Sequence, residues 1–164
     1  MKNISKHTEI SILLFIYGYN LNIKQAISSI LNQTITDFEL IIVNNNNKKI
    51  RDSLLKFNDK RIHPIIVKSK KAFVYEGIRN AHGKYICFAS SNAGYMNDWL
   101  ERQLSYMNKN RSINISGICL SSYISNIELI KVMYLQSPVL FWSSIIIKRC
   151  ILQEYESLLK KEYI

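Results

Sequence analysis

Hydroxyl and amide side chains gather just after three apolar runs of this sequence. Tyr17-Gly18-Tyr19-Asn20 follows Ile10–Ile16, Asn44-Asn45-Asn46-Asn47 follows Phe38–Val43, and Ser90-Ser91-Asn92 follows Tyr85–Ala89. Such groups donate and accept hydrogen bonds without carrying charge, which suits them to orienting a polar ligand. Each also has a plainer reading. The Asn44–Asn47 run fits a turn, since asparagine tolerates left-handed backbone, and Tyr17 fits a strand-end aromatic packed on its neighbours. Other chemistry is thinly represented. His7, His63 and His82 are scattered without metal-ligand spacing, and no Gly-x-Ser-x-Gly elbow or nucleophile–base pair can be placed. A glycine-rich phosphate cradle is also missing. Lys68, Lys70 and Lys71 follow a further apolar run and read either as phosphate contacts or as a solvated loop.

The elements that must position these loops are legible from periodicity. Ile10–Ile16 is a continuous apolar run of buried-strand type, and Ile23, Ala26, Ile27, Ile30 and Leu31 then repeat at helical spacing. Phe38–Val43 predicts a second strand, 49–57 a helix, Ile62–Val67 a third strand and 72–82 another helix. Tyr85–Ala89 predicts a fourth strand, and Trp99, Leu100, Gln103, Leu104 and Met107 mark the helix behind it, with Asp98 as its cap. Beyond residue 110 the pattern blurs into strands at Ile113–Leu120 and Leu140–Ile147 and a closing helix over 148–159. Alternating strands and helices imply an α/β fold with an open, mostly parallel sheet and right-handed crossovers. Ligands of such sheets bind outside the carboxyl ends of the strands, where the three polar loops converge.

Bulk properties set outer limits. With 164 residues, 48% of them hydrophobic, the chain is long enough for one domain with a real core. Its 22 Lys and Arg against 12 Asp and Glu give a net charge of +10, suited to an anionic neighbour such as a nucleotide diphosphate or a phospholipid surface. Interleaved basic and aromatic motifs are missing, so nucleic acid is not the expected partner. Cys87, Cys119 and Cys150 are odd in number, widely spaced and in apolar settings, so each is expected as a small buried hydrophobe in a reducing compartment. The runs Ile10–Tyr17 and Val139–Ile147 fall short of the roughly 18 residues of a membrane span. Lys2 and Lys6 precede an apolar run in the manner of a signal peptide. Glu9 interrupts that pattern and no small-residue cleavage site follows, so the N-terminus reads as mature and cytoplasmic.

Residues 8–43 and 83–104 resemble the head of a family 2 glycosyltransferase. That family's pattern is an apolar strand ending in Pro-Thr-Tyr-Asn, a helix ending in Leu-Asn-Gln-Thr, and then Phe-Glu-Ile-Ile-Val-Asp-Asp. Without a gap, Phe15-Ile16-Tyr17-Gly18 falls on the first, Leu31-Asn32-Gln33-Thr34 matches the second letter for letter, and Asn44-Asn45 fall on the acidic pair. Gly83, Tyr85, Ile86, Phe88 and Ser91 match the family block Gly-x-Tyr-Ile-x-Phe-Leu-Asp-Ser-Asp-Asp. In that block Ser90, Asn92 and Ala93 take the acidic places of the Asp-x-Asp metal motif. Phe73, Val74 and Tyr75 stand where the family carries Ala-Arg-Asn. Near the end, residues 143–155 resemble the family's Ser-Ser-x-x-x-Arg-Arg segment, but its acidic sequel is replaced by 156–160.

The resemblance implies a GT-A-like, Rossmann-like three-layer α/β/α fold truncated in the acceptor half. It also implies one domain over 1–164, with a nucleotide-binding half at 8–110 and a partial acceptor half at 111–164. By the same resemblance Ile16, Tyr17, Gly18, Asn44, Asn45 and Ser91 would hold a nucleotide-diphosphate-sugar donor, Asn44 accepting the N3–H of a uracil-type base. Ser90 and Asn92 mark the place of a divalent cation, magnesium or manganese. Glu154 and Glu156 are the only candidate carboxylate bases, and solvated helix positions are the plainer reading of both. Two functions stay open. One is sugar transfer to a polysaccharide or lipid-linked acceptor at the cytoplasmic face of the inner membrane. The other is a non-catalytic descendant that binds an active transferase as a subunit or survives as a decayed paralogue.

Overall fold

The computed structural model describes residues 8–16, 18, 22–45, 47–69, 72–116 and 145–154. The apolar runs become strands β1 (Ile10–Ile16), β2 (Phe38–Asn44), β3 (Ile62–Ile66) and β4 (Tyr85–Ser90), all parallel, with the short strands β5 (Ile115–Ser116) and β6 (Ile146–Lys148). The sheet order is β3-β2-β1-β4-β6-β5, and the last two strands run antiparallel to their neighbours. Helices α1 (Ile23–Leu31), α2 (Lys48–Leu54), α3 (Phe73–Arg79) and α4 (Trp99–Lys109) connect the parallel strands or follow them. Right-handed crossovers dictate their placement. Moving from β1 to β2 to β3 puts α1 and α2 on one face, and the return from β3 to β4 puts α3 on the other.

Strand alternation splits the core into two layers. Ile10, Ile12, Leu14, Ile16, Leu40, Ile42, Tyr85 and Cys87 pack with buried residues of α1, α2 and α4, including Ile27, Ile50 and Leu100. From the opposite face Leu13, Ile41, Val43, Ile86 and Phe88 meet Phe73, Val74 and Ile78 of α3 and Leu152 near the end. Each such fully buried aliphatic contributes on the order of 1.5–3 kcal/mol, so the sheet center needs no further explanation. Gly77 lets α3 lie close: a Cβ there would sit 3.2 Å from Val43 Cγ2 and 3.3 Å from Phe15 Cε1. Phe15 in turn stacks on Phe88, ring centroids 6.2 Å apart.

Several boundaries are shorter than periodicity alone predicts. The 49–57 helix ends at Leu54, and the 72–82 helix at Arg79, where Asn80 closes it and its side chain donates to Glu76 O. Ending there leaves room for the Ala81–Gly83 corner. Gly83 fits that corner because a Cβ would lie 2.6 Å from the Ile10 carbonyl carbon. Strand β5 covers Ile115–Ser116 of the expected 113–120, and β6 covers Ile146–Lys148 of the expected 140–147. Residues 149–154 are helical, and the rest of both strands and of the closing helix lies outside the described residues. One cysteine expectation is corrected. Cys87 is buried, but Cys150 is exposed, because Leu152 takes the inward place on that helical turn and Cys150 lies about 200° around it. Cys119 lies outside the described residues. Among the described residues, no helix is long and apolar enough to cross a membrane.

Candidate functional site

Strand order reverses between β1 and β4, so the crevice outside their carboxyl ends is the topological switch point. Pairing levels the strand ends there. Ile16 lies beside Asn44, Asn44 beside Ile66, and Phe15 beside Ser90. At about 4.8 Å per strand, Asn44 and Ser90 stand roughly 10 Å apart across the mouth of the crevice.

On the β2 side, Asn44 is almost wholly buried and its Nδ2 donates to Ile65 O at 3.0 Å. A carbonyl can only accept, so this contact fixes which end of the amide faces β3. Asn45 is exposed, and Asn47 caps α2, its Oδ1 accepting from Lys49 N at 2.9 Å. The asparagine run is therefore partly the turn its composition suggests. Ile16 is fully buried in the core and can offer a ligand only its backbone. Gly18 is exposed, and a Cβ on it would meet nothing within 4 Å, so packing does not demand glycine there. Tyr17 lies outside the described residues.

The β4 tip is closed in on itself. Ser90 N donates to the Tyr95 hydroxyl at 2.7 Å, and that hydroxyl donates back to Ser90 O at 3.3 Å. Ser90 Oγ accepts from Asn92 N at 3.2 Å, and Ala93 N donates to Ser90 O. Ser91 is buried while Asn92 is exposed. Burial pushes the Tyr95 hydroxyl up to about 12, despite its bond to Ser90. Tyr95 also packs on Trp99, centroids 4.5 Å apart.

A latch from α1 holds the loop that follows. Buried Gln33 donates from Nε2 to Ser29 O at 3.0 Å and to Met96 O at 2.6 Å, while its Oε1 accepts from Leu100 N at 3.0 Å. Ser29 Oγ accepts from Tyr95 N, Thr34 N donates to Asn97 O, and Thr34 Oγ1 donates to Glu101. The cap of α4 is thus supplied by Gln33 from the loop just after α1. Asp98 sits at the N-cap position but makes no side-chain cap bond, which corrects the capping expectation. Instead its Oδ2 takes Arg102 at 2.6 Å, and its Oδ1 is buried without a partner. Sequence reading registered Leu31-Asn32-Gln33-Thr34 as a match without seeing this job. A long amide at a helix end, three residues beyond the last inward apolar position, was the available signal.

The remaining candidates are buried, exposed or outside the described residues. Val74, in the family's arginine place, is buried against the sheet with Phe73. Lys68 and Glu154 are exposed, and Lys70, Lys71 and Glu156 lie outside the described residues. Among the described residues, no group of three or more His, Cys, Asp or Glu side chains converges. Among the described residues, the ends of β1, β2 and β4 present neutral groups to the crevice: the exposed Asn45 amide, the Ser90 hydroxyl, the exposed Asn92 amide and strand-end backbone.

Known proteins resemble this chain in sequence and in fold. An uncharacterized glycosyltransferase of Rickettsia bellii is 33% identical over 116 residues, 68% of this chain and 17% of the relative. An Escherichia coli UDP-Glc:alpha-D-GlcNAc-diphosphoundecaprenol beta-1,3-glucosyltransferase, WfgD, is 32% identical over 107 residues, 62% of this chain and 42% of the relative. The mannosyltransferase PcManGT of Pyrobaculum calidifontis, solved with GDP-Man and Mn2+, superposes with a TM-score of 0.65 at 13% identity. That match covers 89% of this chain and 46% of the solved one, and it shows a shared fold. The chain spans less than half the length of the curated relatives it matches. The sequence pattern described as glycosyl transferase family 2 matches residues 11–155, so with this sheet and this crevice the chain belongs to that family.

Proposed function

We propose that the chain is the donor-binding part of a nucleotide-sugar glycosyltransferase, with a crevice that takes the nucleoside diphosphate without a tightly held cation and transfers sugar poorly. The observation that carries this reading is the neutral, internally bonded β4 tip at the switch point. A divalent ion that bridges protein and diphosphate needs hard oxygen donors, carboxylates above all. Here the Ser90 hydroxyl already accepts Asn92 N–H, Asn92 is an amide, and the carboxylate next along the chain, Asp98, gives Oδ2 to Arg102 and keeps Oδ1 buried without a partner, one acid oxygen where such an ion needs several. These residues do not fit such an ion. A charge pair at 4 Å is worth on the order of 4 kcal/mol at an effective dielectric near 20, so its loss weakens both binding and leaving-group stabilisation.

What remains can still orient a donor. Backbone at the end of β1 offers hydrogen bonds, the exposed Asn92 amide offers neutral ones, and the net charge of +10 attracts a diphosphate from solution. The likeness to WfgD, named for UDP-Glc and a diphosphoundecaprenol acceptor, supports a UDP-sugar and a lipid-linked acceptor. The second reading, a non-catalytic subunit beside an active transferase, draws on Val74. Burying valine in the family's arginine place turns a donor contact into core.

Isothermal titration of uridine diphosphate, with and without manganese, tests the proposal. Binding in the high-micromolar to millimolar range that manganese leaves unchanged is the expected result. Manganese-dependent tightening of tenfold or more would overturn the cation-free reading. No heat at millimolar ligand would overturn donor binding and leave the subunit reading standing. As a companion, Ser90→Asp with Asn92→Asp is expected to create manganese-dependent binding where none existed.

A further inference from the structure

The opposite end of the sheet holds a second feature that the crevice does not explain. Around the amino-terminal ends of β1 and β4, Glu9, His82, Lys84, Lys148, Arg149 and Gln153 line a cleft of about 370 Å³. Its cations come from segments far apart in sequence, joined by the sheet. Antiparallel pairing sets Tyr85 against Lys148, and Arg149 N donates to Lys84 O at 2.9 Å. Lys148 is pre-positioned, its Nζ donating to Arg111 O at 2.7 Å and Asn114 Oδ1 at 3.1 Å. An ammonium has three donors, so one N–H remains for a ligand. Lys84 lies over the Tyr85 ring and 3.7 Å from Glu9, an exposed pair that is weak and easily screened. Among the described residues, no ion pair occupies the Arg149 guanidinium. The cleft therefore presents three cations, Lys148 held in place, against the Glu9 carboxylate, with His82 and Gln153 beside them. The remaining acid nearby, Glu39, is buried and bonded to Ser11 and to the His82 N–H.

We propose that this cleft binds a phosphate-class dianion, a phosphate or diphosphate group carried either by a soluble ion or by an anionic lipid headgroup. A planar arginine fork beside two ammonium groups matches a tetrahedral anion in charge and in donor geometry. The cleft's size suits one such group with its immediate substituent. The site is separate from the crevice, because the length of β4, roughly 20 Å, lies between them.

Titration of the full chain with sodium pyrophosphate at low ionic strength tests this. Arg149→Gln and Lys84→Gln are each expected to weaken binding about tenfold, and Glu9→Gln to tighten it several-fold by removing the competing carboxylate. Lys56→Gln, an exposed charge elsewhere, controls for diffuse attraction and is expected to change affinity less than twofold. Saturating uridine, which carries no phosphate, is expected to leave pyrophosphate binding intact. Should Arg149→Gln unfold, Arg149→Lys keeps the charge and is expected to retain most of the affinity. Sedimentation with phosphatidylcholine vesicles containing phosphatidic acid, whose headgroup is a phosphate monoester, separates the two sources. Capture that Arg149→Gln abolishes and Lys56→Gln spares assigns the site to a headgroup, whereas pyrophosphate binding without capture assigns it to a soluble phosphate. Equal losses in Arg149→Gln and Lys56→Gln, or no pyrophosphate binding and no capture, would overturn the proposal.

Discussion

Gln33 makes three hydrogen bonds from a buried side chain, and each reaches a backbone group that has few alternatives. Gln33→Leu keeps the volume but orphans Leu100 N and Met96 O, so it is expected to cost about 2–3 kcal/mol. Urea denaturation checks the total, and faster exchange of the Leu100 amide places the loss at the start of α4. Glu39 gives a pH signature. Burial raises its pKa, but hydrogen bonds from Ser11 and His82 outweigh that and hold it below its ordinary 4.5. A depressed carboxyl pKa adds stability in full above 4.5 that is lost as pH falls through the folded value. The stability of the protein is therefore expected to drop below about pH 5, and Glu39→Gln to flatten that slope in urea titrations. Asp59, held by Arg61 at about 2, gives up its share only further down. Asn44→Asp would turn a carboxylate toward Ile65 O, so it is expected to lose about 1–2 kcal/mol. Restoring the family's acid at that place alone is not a neutral repair.

At the level of elements, the corner before β4 leaves the least room. A side chain on Gly83 runs into the backbone of β1, which cannot yield as a flexible side chain could. Gly83→Ala is expected to destabilise by about 3 kcal/mol, read from the denaturation midpoint. Gly77→Ala meets only side-chain tips and should cost clearly less. The strands and α1 were legible because their apolar residues are both continuous and buried: Ile10–Ile16 and Ile23–Leu31 fall on the expected residues. Helices α2 and α3 were overextended, since periodicity does not report where Leu55 or Asn80 ends a helix through backbone bonds. The crevice's place was legible from strand order alone. Its inner wiring was not, because Tyr95, Ser29 and Gln33 meet only after folding brings α1 over the β4 tip. Cys150 was misjudged for a related reason: an apolar neighbourhood in sequence does not say which side of a turn faces inward.

Across the whole molecule, charge is divided by location. Asn44, Asn45, Ser90 and Asn92 at the strand ends of the crevice carry no charge, while three cations line the cleft at the opposite end of the sheet. Rising salt is therefore expected to weaken pyrophosphate binding more steeply than uridine diphosphate binding, as titrations at about 0.05 and 0.3 M salt would show. The outer flank of the sheet adds a constraint of its own. Arg61 O and Val67 N face β2, so by alternation position 64 of β3 turns its main chain outward, and that position is Pro64. An imino acid there has no hydrogen to give. A companion polypeptide could not zip itself onto this border strand by strand, and any association on that side must be read through side chains such as His63 and Ile66.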